Sequence, residues 1–155
     1  GYVGICAGAF LAASNYSWSL GISNHKTFCE TVDVQGIGRK SMWFRGGSAP
    51  VTMELTDEGR KTLGDFEGVF EVRYQNGPIM SPMGREGLGN FRSLSYFRSE
   101  VSKYKPQEGT MINTPAVIVG EYGNGRVLCI SPHPESTDAL NRLVQNAVRW
   151  TARRR

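Results

Sequence analysis

No stretch of this 155-residue chain approaches 18 consecutive apolar residues, so a membrane-spanning helix is excluded and no membrane is expected among its partners. No signal peptide is recognised at the start, where truncation would hide one. Cysteine is scarce. The three present are an odd number without paired spacing, which points to a reducing compartment and a cytoplasmic protein. Cys29 reads as a loop or edge residue and Cys129 as a buried strand residue. Histidine is scarcer, with His25 and His133 alone. His25 and Cys29 are two ligands without partners, so no metal is expected, and no cofactor either. The string Gly84-Arg85-Glu86-Gly87-Leu88-Gly89 lacks the Gly-Lys-Ser/Thr of a phosphate loop. No repeat and no linker divides residues 1–155, which read as one domain long enough for a single core.

Formal net charge is +4. Arg149, Arg153, Arg154 and Arg155 gather at the end of a helical pattern, where they complement the helix dipole. A nucleic-acid surface needs a broader basic face with aromatics, so nucleic acid is not an expected partner. Hydrophobic content of 39% and charged content of 21% suit a globular domain, and 19 glycines point to many tight turns.

Along the chain, Tyr2–Ile5 reads as a short buried strand and Phe10–Ala13 as the start of a helix. Residues 14–30 form a polar loop, in which Asn15-Tyr16-Ser17 matches the glycosylation pattern incidentally. Thr31–Val34, Val51–Thr56 and Phe70–Tyr74 read as strands. Residues 36–47 read as a loop, with Trp43 and Phe44 as a core or lid anchor. Residues 56–60 and Gly77-Pro78 read as turns, and 81–95 as a surface loop. Tyr96–Arg98 with Val101 suggest an edge strand. Ala116–Tyr122 and Gly125–Ile130 are apolar strands, with Asn124-Gly125 as a hairpin signal. Ser136, Thr137 and Asp138 resemble helix caps. Leu140, Leu143, Val144, Ala147, Val148 and Thr151 then repeat at helical spacing. The class is α/β.

Two strings carry chemistry. Gly4-Ile5-Cys6-Ala7-Gly8 places a cysteine on a sharp strand-to-helix turn, where flanking glycines remove clashing side chains. The helix N-terminus is expected to lower the Cys6 pKa, and the Ala7 N–H to face a developing oxyanion. The same string also suits a small buried cysteine in a packing patch. Ser131-Pro132-His133-Pro134-Glu135 follows the second apolar strand. Its prolines restrict His133, and Glu135 is close enough in an extended loop to fix the imidazole tautomer. The alternative is a solvated histidine beside a helix-start glutamate. Cys6, His133 and Glu135 together supply nucleophile, base and orienting carboxylate.

These residues resemble a class I glutamine amidotransferase-like domain. Gly4 to Ala12 together with Tyr74-Gln75-Asn76-Gly77-Pro78 resemble more closely the amidotransferase-like domain at the N-terminus of some biotin-protein ligases and its free-standing relatives. The resemblance covers most of the chain. It implies a flavodoxin-like three-layer sandwich of which this is the C-terminal portion, with N-terminal strands and a second oxyanion loop upstream. It implies Cys6 as nucleophile, His133 and Glu135 as its partners, and Tyr74, Asn76 and Gly77 beside the nucleophile. The substrate would be a small molecule or acyl-amide, and an attached ligase domain or the upstream segment a partner. Glutamine-hydrolysing members carry Gly-His-Gln after the cysteine. Here Gly8-Ala9-Phe10 puts an aromatic where substrate is held, which argues against glutaminase activity. Ala7 stands where the heat-shock/protease branch has histidine. The alternative function is a non-catalytic ligand-binding or regulatory module.

Overall fold

The computed structural model describes residues 1–41 and 47–152. The expectations at Trp43, Phe44 and Arg153 to Arg155 fall outside those residues. Chain order is β1 (Tyr2–Ile5), α1 (Ala7–Ala12), β2 (His25–Lys26), β3 (Val32–Val34), β4 (Gly38–Lys40), β5 (Ser48–Leu55), α2 (Asp57–Leu63), β6 (Val69–Gln75), β7 (Ser81–Pro82), β8 (Arg92–Phe97), β9 (Pro115–Tyr122), β10 (Gly125–Ile130) and α3 (Asn141–Ala152). Short 3-10 turns at Pro134–Ser136 and Asp138–Leu140 lead into α3.

A six-stranded sheet runs in the order β1-β10-β9-β8-β5-β6. β1 is parallel to β10, and the other pairings in the sheet are antiparallel. The sheet curls. β6 is its far strand, yet Arg73 of β6 bridges to His133, which follows β10 near the opposite end. β2 with β7 and β3 with β4 form separate two-stranded ribbons.

β9 and β10 lie inside the sheet and are covered on both faces. Burial is therefore continuous from Ala116 to Gly120 and from Val127 to Ile130. Successive side chains still divide between the faces. Val117, Val119, Leu128 and Ile130 join the main core with Leu63 of α2 and Leu143 and Ala147 of α3. Ile118, Val127 and Cys129 join a smaller core with Ala9 and Ala12 of α1. Thus α1 covers one face of the sheet, and α2 and α3 cover the other. Each fully buried Leu or Ile contributes about 1.5–3 kcal/mol to this arrangement. The class is mixed α/β, with few helices.

Several local expectations differ from the structure. The turn read at 56–60 is the start of α2, where Thr56 Oγ1 accepts from the Gly59 N–H at 3.0 Å. Gly59 disguises this helix, but it has a packing reason: a Cβ there would lie 2.0 Å from the Leu94 carbonyl oxygen. The loop read at 36–47 contains β4, and the loop read at 81–95 contains β7 and the start of β8. β8 is an interior strand rather than an edge, and register shifts around Ser95 break its alternation. Tyr122 pairs with Gly125, so the hairpin turns at Gly123 and Asn124, with Gly123 at φ 55°. On α3, Val148 is 50% exposed and leaves the expected apolar face. Among the described residues no helix is long and apolar enough to cross a membrane.

Candidate active site

Cys6 is the single residue between β1 and α1, the N-cap of the helix. Its N–H donates to the Ile130 carbonyl at 2.8 Å, and its own carbonyl accepts from the N–H groups of Ala9 and Phe10. Meeting both demands holds the backbone at φ 49°, ψ −102°. That region strains an L residue and is a mark of functional turns. Gly4 makes the turn possible, because a Cβ there would lie 2.6 Å from the Gly8 carbonyl. Gly8 is less constrained. Its Cβ would meet only Tyr2 Oη, at 3.6 Å.

Cys6 is partly buried, and its Sγ–H donates to the Gln75 carbonyl at 3.5 Å. Burial pushes its pKa up, the Ala7 N–H pulls it down, and the Glu135 carboxylate pushes it up again. The net direction is upward, which corrects the expectation of a depressed thiol. α1 has only six residues, so it offers a local N–H rather than a developed macrodipole. At neutral pH the resting group is a thiol that needs a base.

His133 is held from both sides. Its N–H donates to the Arg73 carbonyl at 2.8 Å. The 3-10 turn Pro134–Ser136, in place of the extended loop expected, folds Glu135 back so that Oε1 lies 2.6 Å from His133 Nδ1. A carboxylate accepts, so in the neutral imidazole Nδ1 carries the proton and Nε2 is the nitrogen with the lone pair. The imidazole and carboxylate side chains are 21% and 41% exposed, open enough to meet a substrate.

The free edge of β6 gathers these groups. Arg73 and Gln75 are two residues apart on an extended strand, so their carbonyls point to one side about 7 Å apart. One holds His133 and the other holds Cys6. Arg73 is not a sequence candidate, and Gln75 falls within the segment Tyr74 to Pro78 that the resemblance puts beside the nucleophile. Both act through backbone oxygen, which leaves no side-chain signal.

The remaining sequence candidates are placed as follows. Ala7 is exposed, with its N–H acting on Cys6 Sγ. Phe10 is buried on the inner side of α1, its ring centroid 6.3 Å from that of Tyr16. Tyr74 is fully buried, edge-on to Phe97 at 5.9 Å, and its hydroxyl donates to the Gly77 carbonyl at 2.7 Å. Phe10 and Tyr74 therefore face the core rather than the open side of the site. Asn76 adopts φ 52° in the turn after β6. Gly77 packs against the residue two before His133: a Cβ there would lie 2.0 Å from the Ser131 carbonyl oxygen. Gly77→Ala is expected to destabilise the fold by about 1–3 kcal/mol, as overpacking does, and to displace His133. Urea unfolding and Cys6 alkylation measure the two effects, and a variant unchanged in both would contradict this contact.

Glu135→Gln keeps shape and neutralises charge. It should leave the fold intact and slow base-assisted reaction of Cys6 by about tenfold, at the low end for a hydrogen bond to a charged group because Glu135 is partly solvated. Unchanged rate and pH profile would remove Glu135 from the site.

His25, the other histidine, has a structural place. It is fully buried behind α1, with Nε2 3.1 Å from the Ala9 carbonyl and Nδ1 2.9 Å from Ser23 Oγ. A carbonyl only accepts, so Nε2 carries the proton and Nδ1 accepts from the serine. Burial pushes its pKa down to about 4. Cys129 is fully buried, its thiol pushed up to about 12, while Cys29 is exposed. Asn15 spends its carboxamide on the Thr27 backbone, at 2.9 and 3.1 Å. Compared with known proteins, the chain matches no family model and no curated protein.

Proposed function

We propose that Cys6, His133 and Glu135 act as nucleophile, base and orienting carboxylate in thiol-dependent acyl transfer at an amide-type bond. The observation that carries the reading is Cys6 at φ 49° on a strand-to-helix elbow, sharing one strand edge with an imidazole already oriented by a carboxylate. His133 Nε2 takes the Sγ proton as sulfur attacks the carbonyl carbon. The Ala7 N–H donates to the oxyanion. The tetrahedral intermediate expels the amine, which leaves with the proton from His133, and a thioester remains on Cys6. Water, deprotonated by His133, then releases the acid and restores the thiol.

The fold is read as the C-terminal portion of a class I amidotransferase-like, flavodoxin-like three-layer sandwich. Helices on both faces of β10 support this. β1 is the outer strand in the sheet order, so an upstream segment or an attached ligase domain could add strands beside it.

The test is acylation by p-nitrophenyl acetate in a Cys29→Ser background, which removes the exposed competing thiol. A burst of p-nitrophenolate near one equivalent, absent in Cys6→Ala, supports the reading. Equal release by both proteins would defeat it. The second reading, a non-catalytic ligand-binding or regulatory module, is favoured by the raised thiol pKa and by the resting bond from Sγ–H to the Gln75 carbonyl.

A further inference from the structure

A cavity of about 540 Å³ lies between the segment Lys26–Val32 and the segment Pro106–Thr110. Neither Cys6 nor His133 lines it. Its size suits a ligand of drug-like dimensions. Phe28, Val32, Ile79 and Pro106 give it apolar walls, and Lys26 and Glu30 bring one charge of each sign, so the lining is neutral.

Gln107 also lines this cavity. It is 6% exposed, and its side-chain amide has no hydrogen-bond partner among the described residues. Its two N–H donors and its carbonyl are not sealed in the core; among the described residues Ser131 Oγ is the fully buried side-chain atom without a hydrogen-bond partner. The small exposed part of Gln107 opens on the cavity.

We propose that this cavity binds a neutral small molecule with an apolar body and an amide group. The apolar walls take the body. The Gln107 amide, both donor and acceptor, pairs with the ligand amide in a way that neither a purely apolar molecule nor an isolated charge would satisfy. The site is separate from the acyl-transfer reading, and its test does not involve Cys6.

The probe is N-acetyl-L-phenylalaninamide, with Cys29 at the cavity wall as reporter. The expected dissociation constant is on the order of 0.1–1 mM for a ligand of this size. In 15N spectra of the wild-type chain, the Gln107 side-chain amide and residues 26–32 and 106–110 should shift together and saturate. Probe at about ten times its dissociation constant should slow Cys29 alkylation by about tenfold and leave Cys6 unaffected, by mass action. Gln107→Leu, if folded, should weaken binding by at least about tenfold. Should that variant not fold, the wild-type Gln107 side-chain resonances decide. No shift at Gln107, no protection of Cys29, or a folded Gln107→Leu that binds as well as wild type would overturn the proposal.

Discussion

His133→Asn is expected to slow acylation of Cys6 by about 10²–10⁴-fold, the usual contribution of a positioned general base. The reason is the state of the thiol. Burial and the Glu135 carboxylate outweigh the Ala7 N–H and raise the Cys6 pKa above its ordinary value of 9.0. Little thiolate therefore exists at neutral pH, and sulfur attack requires removal of the proton as the bond forms. In wild type His133 Nε2 does this, so the rate is already useful near neutrality. In the variant only the thiolate fraction reacts, so the rate should climb with pH through the raised thiol pKa. Burst rates across pH, in the Cys29→Ser background, measure both features. A variant with the wild-type rate and profile would mean that Cys6 reacts without His133.

The second large effect is on stability in acid. His25 has its pKa pushed down from 6.5 to about 4 by burial. The unfolded chain accepts a proton near pH 6.5, while the folded chain refuses it until about pH 4. Stability from this residue is thus complete above pH 6.5, falls as pH drops through that window, and levels off below about 4. The loss amounts to about 3 kcal/mol, a large share of a small domain's stability. His25→Gln keeps a donor for the Ala9 carbonyl but cannot titrate. Urea unfolding across the window should give a flatter pH dependence for the variant, with carboxylate contributions common to both. Parallel pH curves would show that His25 is not held neutral in the folded chain. Because His25 supports α1 through Ala9, acid should also disturb the turn at Cys6 before the sheet unfolds.

The parts legible in the sequence were those written in periodicity and in side-chain type. β5 and β6 alternate plainly. β9 and β10 are continuous apolar runs because both their faces are covered. The elbow string placed Cys6 on its turn, and the spacing of His133 and Glu135 foretold their hydrogen bond. What stayed hidden has physical causes. Gly59 sits inside a helix because of a close approach to Leu94, and no sequence rule announces a neighbour's carbonyl. β8 was masked by a register shift around Ser95. Arg73 and Gln75 serve the site with carbonyl oxygens that every residue possesses. Tyr74 and Phe10 were read toward the site, but their burial turns them toward the core. The sign of the Cys6 shift could not be read from a helix start alone, since it depends on how much burial opposes one N–H.

The central claim is that Cys6 is the acyl acceptor. The most direct measurement is peptide mapping by mass spectrometry of the full chain, quenched in acid at successive times after mixing with p-nitrophenyl acetate. The account predicts an acetyl group on the peptide containing Cys6 that appears early and is then lost by hydrolysis, and that is absent in His133→Asn at the same times. Acetyl found on Cys29 alone, or on Cys6 with equal speed in the His133 variant, would contradict it.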